Sequence, residues 1–117
     1  MNLTSITICV PVKSIDQASR WYESCLELKG HIDPAPGIRE YELRPDCWLQ
    51  LSEGESPRSE HCLLLGVEDI DSERTRLVRL GIDVGEIQRV EGAVAFAEFN
   101  DPDGNNLSLY QVEGANR

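Results

Sequence analysis

The chain has 117 residues, and acidic residues outnumber basic ones 21 to 11, for a formal net charge of −10. That length supports one shared hydrophobic core rather than two independent ones, so residues 1–117 are expected to form a single domain. The negative field disfavours nucleic acid and anionic membrane surfaces as partners and mildly favours cationic ligands, although solubility alone accounts for much of such charge.

No apolar run approaches the roughly 20 residues that span a bilayer, and no secretory-type leader pattern opens the chain, so the expected location is cytoplasmic. Cys9, Cys25, Cys47 and Cys62 lie in apolar patterns without CxxC spacing and read as packed, reduced thiols. Thr4 to Val12 alternates branched apolar with smaller or polar residues, the period of a half-buried strand. Ser14 with Gln17 three places on predicts a capped helix running to about Leu28, with Ala18, Trp21, Tyr22, Cys25 and Leu26 on its apolar face and Gly30 ending it. A short strand is expected at His31 to Asp33, and Asp33 to Gly37 reads as a proline-stiffened turn or loop. Ile38 to Arg44 and Cys47 to Ser52 form a strand pair, and Glu53 to Ser59 has linker composition.

The second half repeats the order. A strand is predicted at Glu60 to Val67, a helix from Ile70 to Leu80 closed by Gly81, and strands near Ile82 to Arg89, Ala93 to Phe99 and Asn106 to Val112. Asn100-Asp101-Pro102-Asp103-Gly104-Asn105 supplies turn chemistry for a tight hairpin: Pro102 fixes φ, Gly104 tolerates positive φ, and the Asp and Asn side chains accept hydrogen bonds from turn amides. Val12-Lys13-Ser14-Ile15-Asp16 matches Val67-Glu68-Asp69-Ile70-Asp71, and Trp48-Leu49-Gln50-Leu51 matches Asn106-Leu107-Ser108-Leu109. These matches are short and apolar, so they suggest duplication and leave chance similarity open.

The predicted class is α+β, with paired βαβββ modules (about 1–58 and 59–117) forming a curled mixed sheet whose convex face carries the helices. Strand parity turns Ile6, Ile8, Val10, Val12, Leu49, Leu51, Leu63, Leu65, Val67, Leu107 and Leu109 toward helices. The opposite parity, with Thr7, Cys9, Trp48, Gln50, Ser52, Cys62, Leu64, Ser108 and Tyr110, would line a concavity. Such a hollow suits a ligand pocket, a dimer seam, or both.

The Phe99 to Asn105 motif running into Leu107-Ser108-Leu109, together with Val12, Trp21-Tyr22 and Val67 to Asp71, resembles the vicinal-oxygen-chelate superfamily of glyoxalase I, extradiol dioxygenases and bleomycin-resistance proteins. The resemblance implies paired βαβββ modules, homodimers and a site inside the cup. Metal-dependent members place His, Glu or Gln ligands on four strands. The corresponding positions here are Thr7, Gln50, Cys62 and Ser108, a poor set, because neutral hydroxyls hold divalent ions weakly without charged co-ligands.

The expectation is therefore a metal-free, cofactor-free protein similar to the bleomycin-resistance branch. It would sequester an aromatic or cationic organic molecule through Thr7, Cys9, Trp48, Gln50, Cys62, Leu64, Glu98, Ser108 and Tyr110, with no catalytic residue assigned. Glu98 reads more readily as a solvated carboxylate than as a cup residue, and Arg39, Glu40, Tyr41 and Glu42 carry the same ambiguity. The alternative is a divalent-metal-dependent lyase, isomerase or dioxygenase using His61, Gln50 and Glu98. A one-residue slip that brought in His61 would also turn Leu63, Leu65 and Val67 into the cup.

Overall fold

The computed structural model describes residues 2, 4, 6–54 and 62–112. It divides into two compact units, Met1–Ser59 and Glu60–Arg117. The first unit runs β1 (Ile6–Val12), α1 (Ile15–Leu26), β2 (Ile32–Ala35), β3 (Ile38–Arg44) and β4 (Cys47–Glu53). The second runs β5 (Cys62–Gly66), α2 (Ile70–Arg79), β6 (Gln88–Val90), β7 (Val94–Asn100) and β8 (Asn106–Val112). Each unit is thus βαβββ with its own four-stranded mixed sheet, in the orders β1-β4-β3-β2 and β5-β8-β7-β6. The β1–β4 and β5–β8 pairs are parallel, the others antiparallel.

Parity decides what is buried. Val10, Val12, Tyr41, Leu49 and Leu51 in the first unit, and Leu63, Ala95, Ala97, Phe99, Leu107 and Leu109 in the second, are all at most 7 % exposed. They alternate with strand neighbours on the opposite face. Ile6 departs from the predicted set: at the start of β1 it is 56 % exposed. Among the cysteines, Cys25 is buried and Cys47 half-buried, but Cys9 is exposed rather than packed.

In α1, Ser14 Oγ accepts from Gln17 N at 3.4 Å, the predicted cap. The helix nevertheless stops before Gly30. Glu27 takes the left-handed conformation at φ 57° and donates its N–H to the Glu23 carbonyl, a termination normally left to glycine. α2 is capped by Asp69, whose carboxylate accepts from Ser72 N at 3.2 Å and Ser72 Oγ at 3.0 Å. The backbone N–H of Ser72, then its hydroxyl, hold the Asp69 carboxyl below the usual range. Gly81, at φ 87°, follows the helix as predicted.

Two strands are displaced from their predicted places. β2 extends through Asp33, Pro34 and Ala35, which an edge strand tolerates. The turn is confined to Pro36-Gly37, with Gly37 at φ 77°. In the second unit the strand expected at Ile82 to Arg89 is reduced to Gln88–Val90, overlapping it only at Gln88 and Arg89. The preceding backbone is tied to the helix instead: Arg74 donates to the carbonyls of Gly85 at 2.7 Å and Val84 at 3.0 Å, and Ile82 N donates to Leu77 O. The linker 55–59, Glu60, His61 and the tail 113–117 lie outside the described residues.

Charged contacts fix α1 to its sheet. Arg39 bonds Asp33 through Nε at 2.9 Å and Nη2 at 3.2 Å, and Ser19 Oγ through Nη1 at 3.0 Å. The hydrogen bond from Arg39 is the main cause holding the Asp33 carboxyl below its ordinary range. Tyr41, 1 % exposed, donates its hydroxyl to Glu23 Oε2 at 2.6 Å. Burial, then this bond, pushes its pKa up to about 12. Because the folded state holds this proton more tightly than the unfolded chain, the associated stability is complete below about pH 10, the ordinary tyrosine pKa. It is lost as pH rises through about 12. Chemical denaturation from pH 9 to 12 is expected to show a steeper stability loss for the wild type than for Tyr41→Phe. Parallel curves would contradict the assignment.

Candidate functional site

Each sheet packs one face against its helix, and the candidate residues fall on the other face. On the first sheet, Thr7 pairs with Trp48 and Trp48 with Glu42, while Cys9 pairs with Gln50 and Gln50 with Glu40. Gln50 is the hub of a hydrogen-bonded row. Its Oε1 accepts from Cys9 Sγ at 3.3 Å and Ser52 Oγ at 3.2 Å, and its Nε2 donates to Glu40 Oε2 at 2.9 Å. Cys9 Sγ also lies 3.5 Å from Ser52 Oγ. The ambiguity on β3 is thereby settled: Arg39 and Tyr41 engage α1, and Glu40 and Glu42 share the face of Trp48 and Gln50. Sequence reasoning underrated Glu40, which the parity of β3 could have assigned.

On the second sheet Leu64 pairs with Ser108 and Ser108 with Glu98; Gly66 pairs with Tyr110 and Tyr110 with Phe96. Leu64 is 61 % exposed, and Glu98 is exposed. Ser108 is only 6 % exposed, and its hydroxyl donates to the adjacent Leu109 carbonyl at 3.3 Å. Cys62 is placed by its backbone pairing with Asn106. Phe96 was missed by sequence reading, although it alternates with Ala95 and Ala97. Thr7, Cys9, Trp48 and Gln50 thus share one face, and Leu64, Glu98, Ser108 and Tyr110 share another.

A cavity of ≈ 390 Å³ lies elsewhere in the first unit, lined by Ile15 and Asp33–Arg39. None of the nine predicted residues reaches it. Its charged pair, Asp33 and Arg39, is mutually bonded, which leaves mainly proline, alanine and isoleucine walls and weakens its claim as a specific site.

The positions that the resemblance sets against metal ligands, Thr7, Gln50, Cys62 and Ser108, bring few groups suited to a divalent ion. Thr7 offers a neutral hydroxyl, the amide of Gln50 is already bonded at both ends, and Ser108 is turned to a backbone carbonyl. Among the described residues no group of three or more His, Cys, Asp or Glu side chains is arranged to hold a metal ion. His61 lies outside them.

No family model and no curated protein matches the sequence. Solved structures do match. An antibiotic binding protein from a Streptomyces species is 25% identical with a TM-score of 0.79, covering 97% of this chain and 99% of its own. A glyoxalase/bleomycin resistance protein from Catenulispora acidiphila is 21% identical with a TM-score of 0.79, covering 95% and 100%. A lactoylglutathione lyase from Agrobacterium tumefaciens is 16% identical with a TM-score of 0.75, covering 91% of each chain. The chain therefore has the paired βαβββ fold of the vicinal-oxygen-chelate superfamily. An antibiotic binding protein and a lyase share that fold, so function has to be argued from side chains.

Proposed function

We propose that this protein binds and sequesters a small organic molecule, aromatic or cationic, on the helix-free faces of its sheets, without metal or bond-breaking chemistry. The carrying observation is the Gln50 row. Gln50, of a residue type that metal-dependent members do use, is here engaged at both ends of its amide by Cys9, Ser52 and Glu40, and the matching positions Thr7 and Ser108 bring only neutral hydroxyls. The row orients Gln50 and leaves the ring of the half-buried Trp48 beside it as contact area. A ligand that removes about 100 Å² of apolar surface against such a ring gains roughly 2.5 kcal/mol. Glu42 beside Trp48, and Glu98 on the second sheet, supply counter-charge to a cationic group.

In this reading Thr7, Cys9, Trp48 and Gln50 act from the first sheet, and Cys62, Leu64, Glu98, Ser108 and Tyr110 from the second. Ser108, buried and turned to a carbonyl, contributes less than the exposed groups. A single domain over residues 1–117, a homodimeric state and a cytoplasmic location belong to the same proposal. Among the described residues no helix is long and apolar enough to cross a membrane. That an antibiotic binding protein shares the fold supports a binding role.

A thermal-shift screen of aromatic and cationic small molecules tests the proposal. At least one compound is expected to raise Tm dose-dependently, and Trp48→Ala is expected to weaken that compound about tenfold or more, roughly 1.4 kcal/mol. Binding unchanged in Trp48→Ala, or no response across the panel, would overturn it.

A further inference from the structure

Tyr110 does not stand upright on its sheet. Strand side chains ordinarily project roughly perpendicular to the pleat, but this phenol leans across β5 onto Gly66. A Cβ placed on Gly66 would lie 2.9 Å from both Tyr110 Cζ and the Tyr110 hydroxyl, and 3.3 Å from Cε2. Gly66 and Tyr110 are direct partners in the β5–β8 ladder. Gly66 is absent from the positive-φ glycines, so its backbone makes no demand that alanine could not meet. The missing side chain is what seats the ring.

Lying over Gly66, the ring is displaced from above β8 toward β5. Around it lie Phe96, directly opposite Tyr110 on β7, and Leu64, two residues before Gly66 on the same face and 61 % exposed. An aromatic and aliphatic floor of this kind suits a flat ring system, which gains contact area and stacking together at little entropic cost.

We infer that Gly66 is a specificity-determining position: by letting Tyr110 lie across β5 it sets the depth of the second sheet's binding face and selects a planar aromatic ligand. The inference rests on the proposed binding role and narrows it. Any side chain at 66 pushes the ring upright into the ligand's space, and because the obstructing atoms are the outer end of a movable side chain, the fold survives the change.

Two measurements separate this inference from the reading beneath it. In the free protein, the Gly66 α-protons are expected to show an NMR ring-current shift that disappears in Tyr110→Ala; no change would overturn the seat itself. For binding, benzylamine and 2-naphthylmethylamine are titrated alongside their saturated counterparts, cyclohexylmethylamine and (decahydronaphthalen-2-yl)methylamine, all cationic at neutral pH. The aromatic probes are expected to bind more tightly, and Gly66→Ala to weaken them by about tenfold or more, the scale on which one misplaced group in a packed site is felt. In a Tyr110→Ala background, Gly66→Ala should cost nothing further. Equal binding of aromatic and saturated probes, or an equal Gly66→Ala effect in both backgrounds, would overturn the inference while leaving the binding role standing. No binding by any probe, with a silent screen, would overturn both.

Discussion

Asp101→Ala is expected to lower stability by about 2–4 kcal/mol and Tm by roughly 10 °C. Asp101 is 6 % exposed, and one carboxylate organises the whole β7–β8 turn. Its Oδ1 accepts from Asp103 N at 2.9 Å and Asn105 N at 2.8 Å, and its Oδ2 accepts from Asn105 Nδ2 at 2.7 Å. Backbone bonds close the same turn, from Asp101 N to Asn105 O and from Gly104 N to Asp101 O. Removing the carboxylate takes these bonds from the backbone and side-chain amides of Asn105, itself 6 % exposed. Asp101→Asn retains an acceptor and should lose less. Urea denaturation of the two variants checks the order; an Asp101→Ala protein as stable as wild type would show that the turn does not depend on its side chain.

Alternate residues of β4 are expected to give opposite results. Leu51 is 0 % exposed beneath α1, and Leu51→Ala should cost about 2–5 kcal/mol through lost burial and the cavity left behind. Gln50, its neighbour, faces away from the helix among polar partners, and Gln50→Ala should cost about 1 kcal/mol, the scale of the lost hydrogen bonds. Binding should reverse the ranking, with Gln50→Ala weakening a screened ligand and the residual folded Leu51→Ala retaining it. Equal stability losses at both positions would mean that the two faces of the strand are not divided as described.

Much of this architecture could be read from the sequence, and for identifiable reasons. Strand parity is a strict period of two, so Val10 and Val12 against Cys9, or Leu49 and Leu51 against Trp48 and Gln50, separate without knowledge of the tertiary structure. Ser14 and the Asp101 to Asn105 turn declare themselves because their hydrogen bonds are local.

The misplaced elements turn on backbone contacts that the hydrophobic pattern does not carry. Arg74 on α2 draws the Val84 and Gly85 carbonyls away from any strand ladder, which hydrophobic pattern alone does not reveal. Glu27 ends α1 in a conformation for which Gly30 was the natural candidate. At the candidate site, the polar character of the first sheet's free face was readable from parity. The Glu40 to Gln50 bond needs the exact register of the β3–β4 hairpin, and the seat of Tyr110 on Gly66 needs the pairing of strands far apart in sequence.

The most direct test of metal-free binding is a pair of calorimetric titrations on one preparation. Chelator-treated protein is titrated with the strongest compound from the screen, and the same protein is titrated separately with zinc, nickel and manganese. Saturable binding of the compound, unaltered when those ions are added, is the predicted result. Stoichiometric uptake of one of the ions, with the compound bound or converted only in its presence, would contradict it.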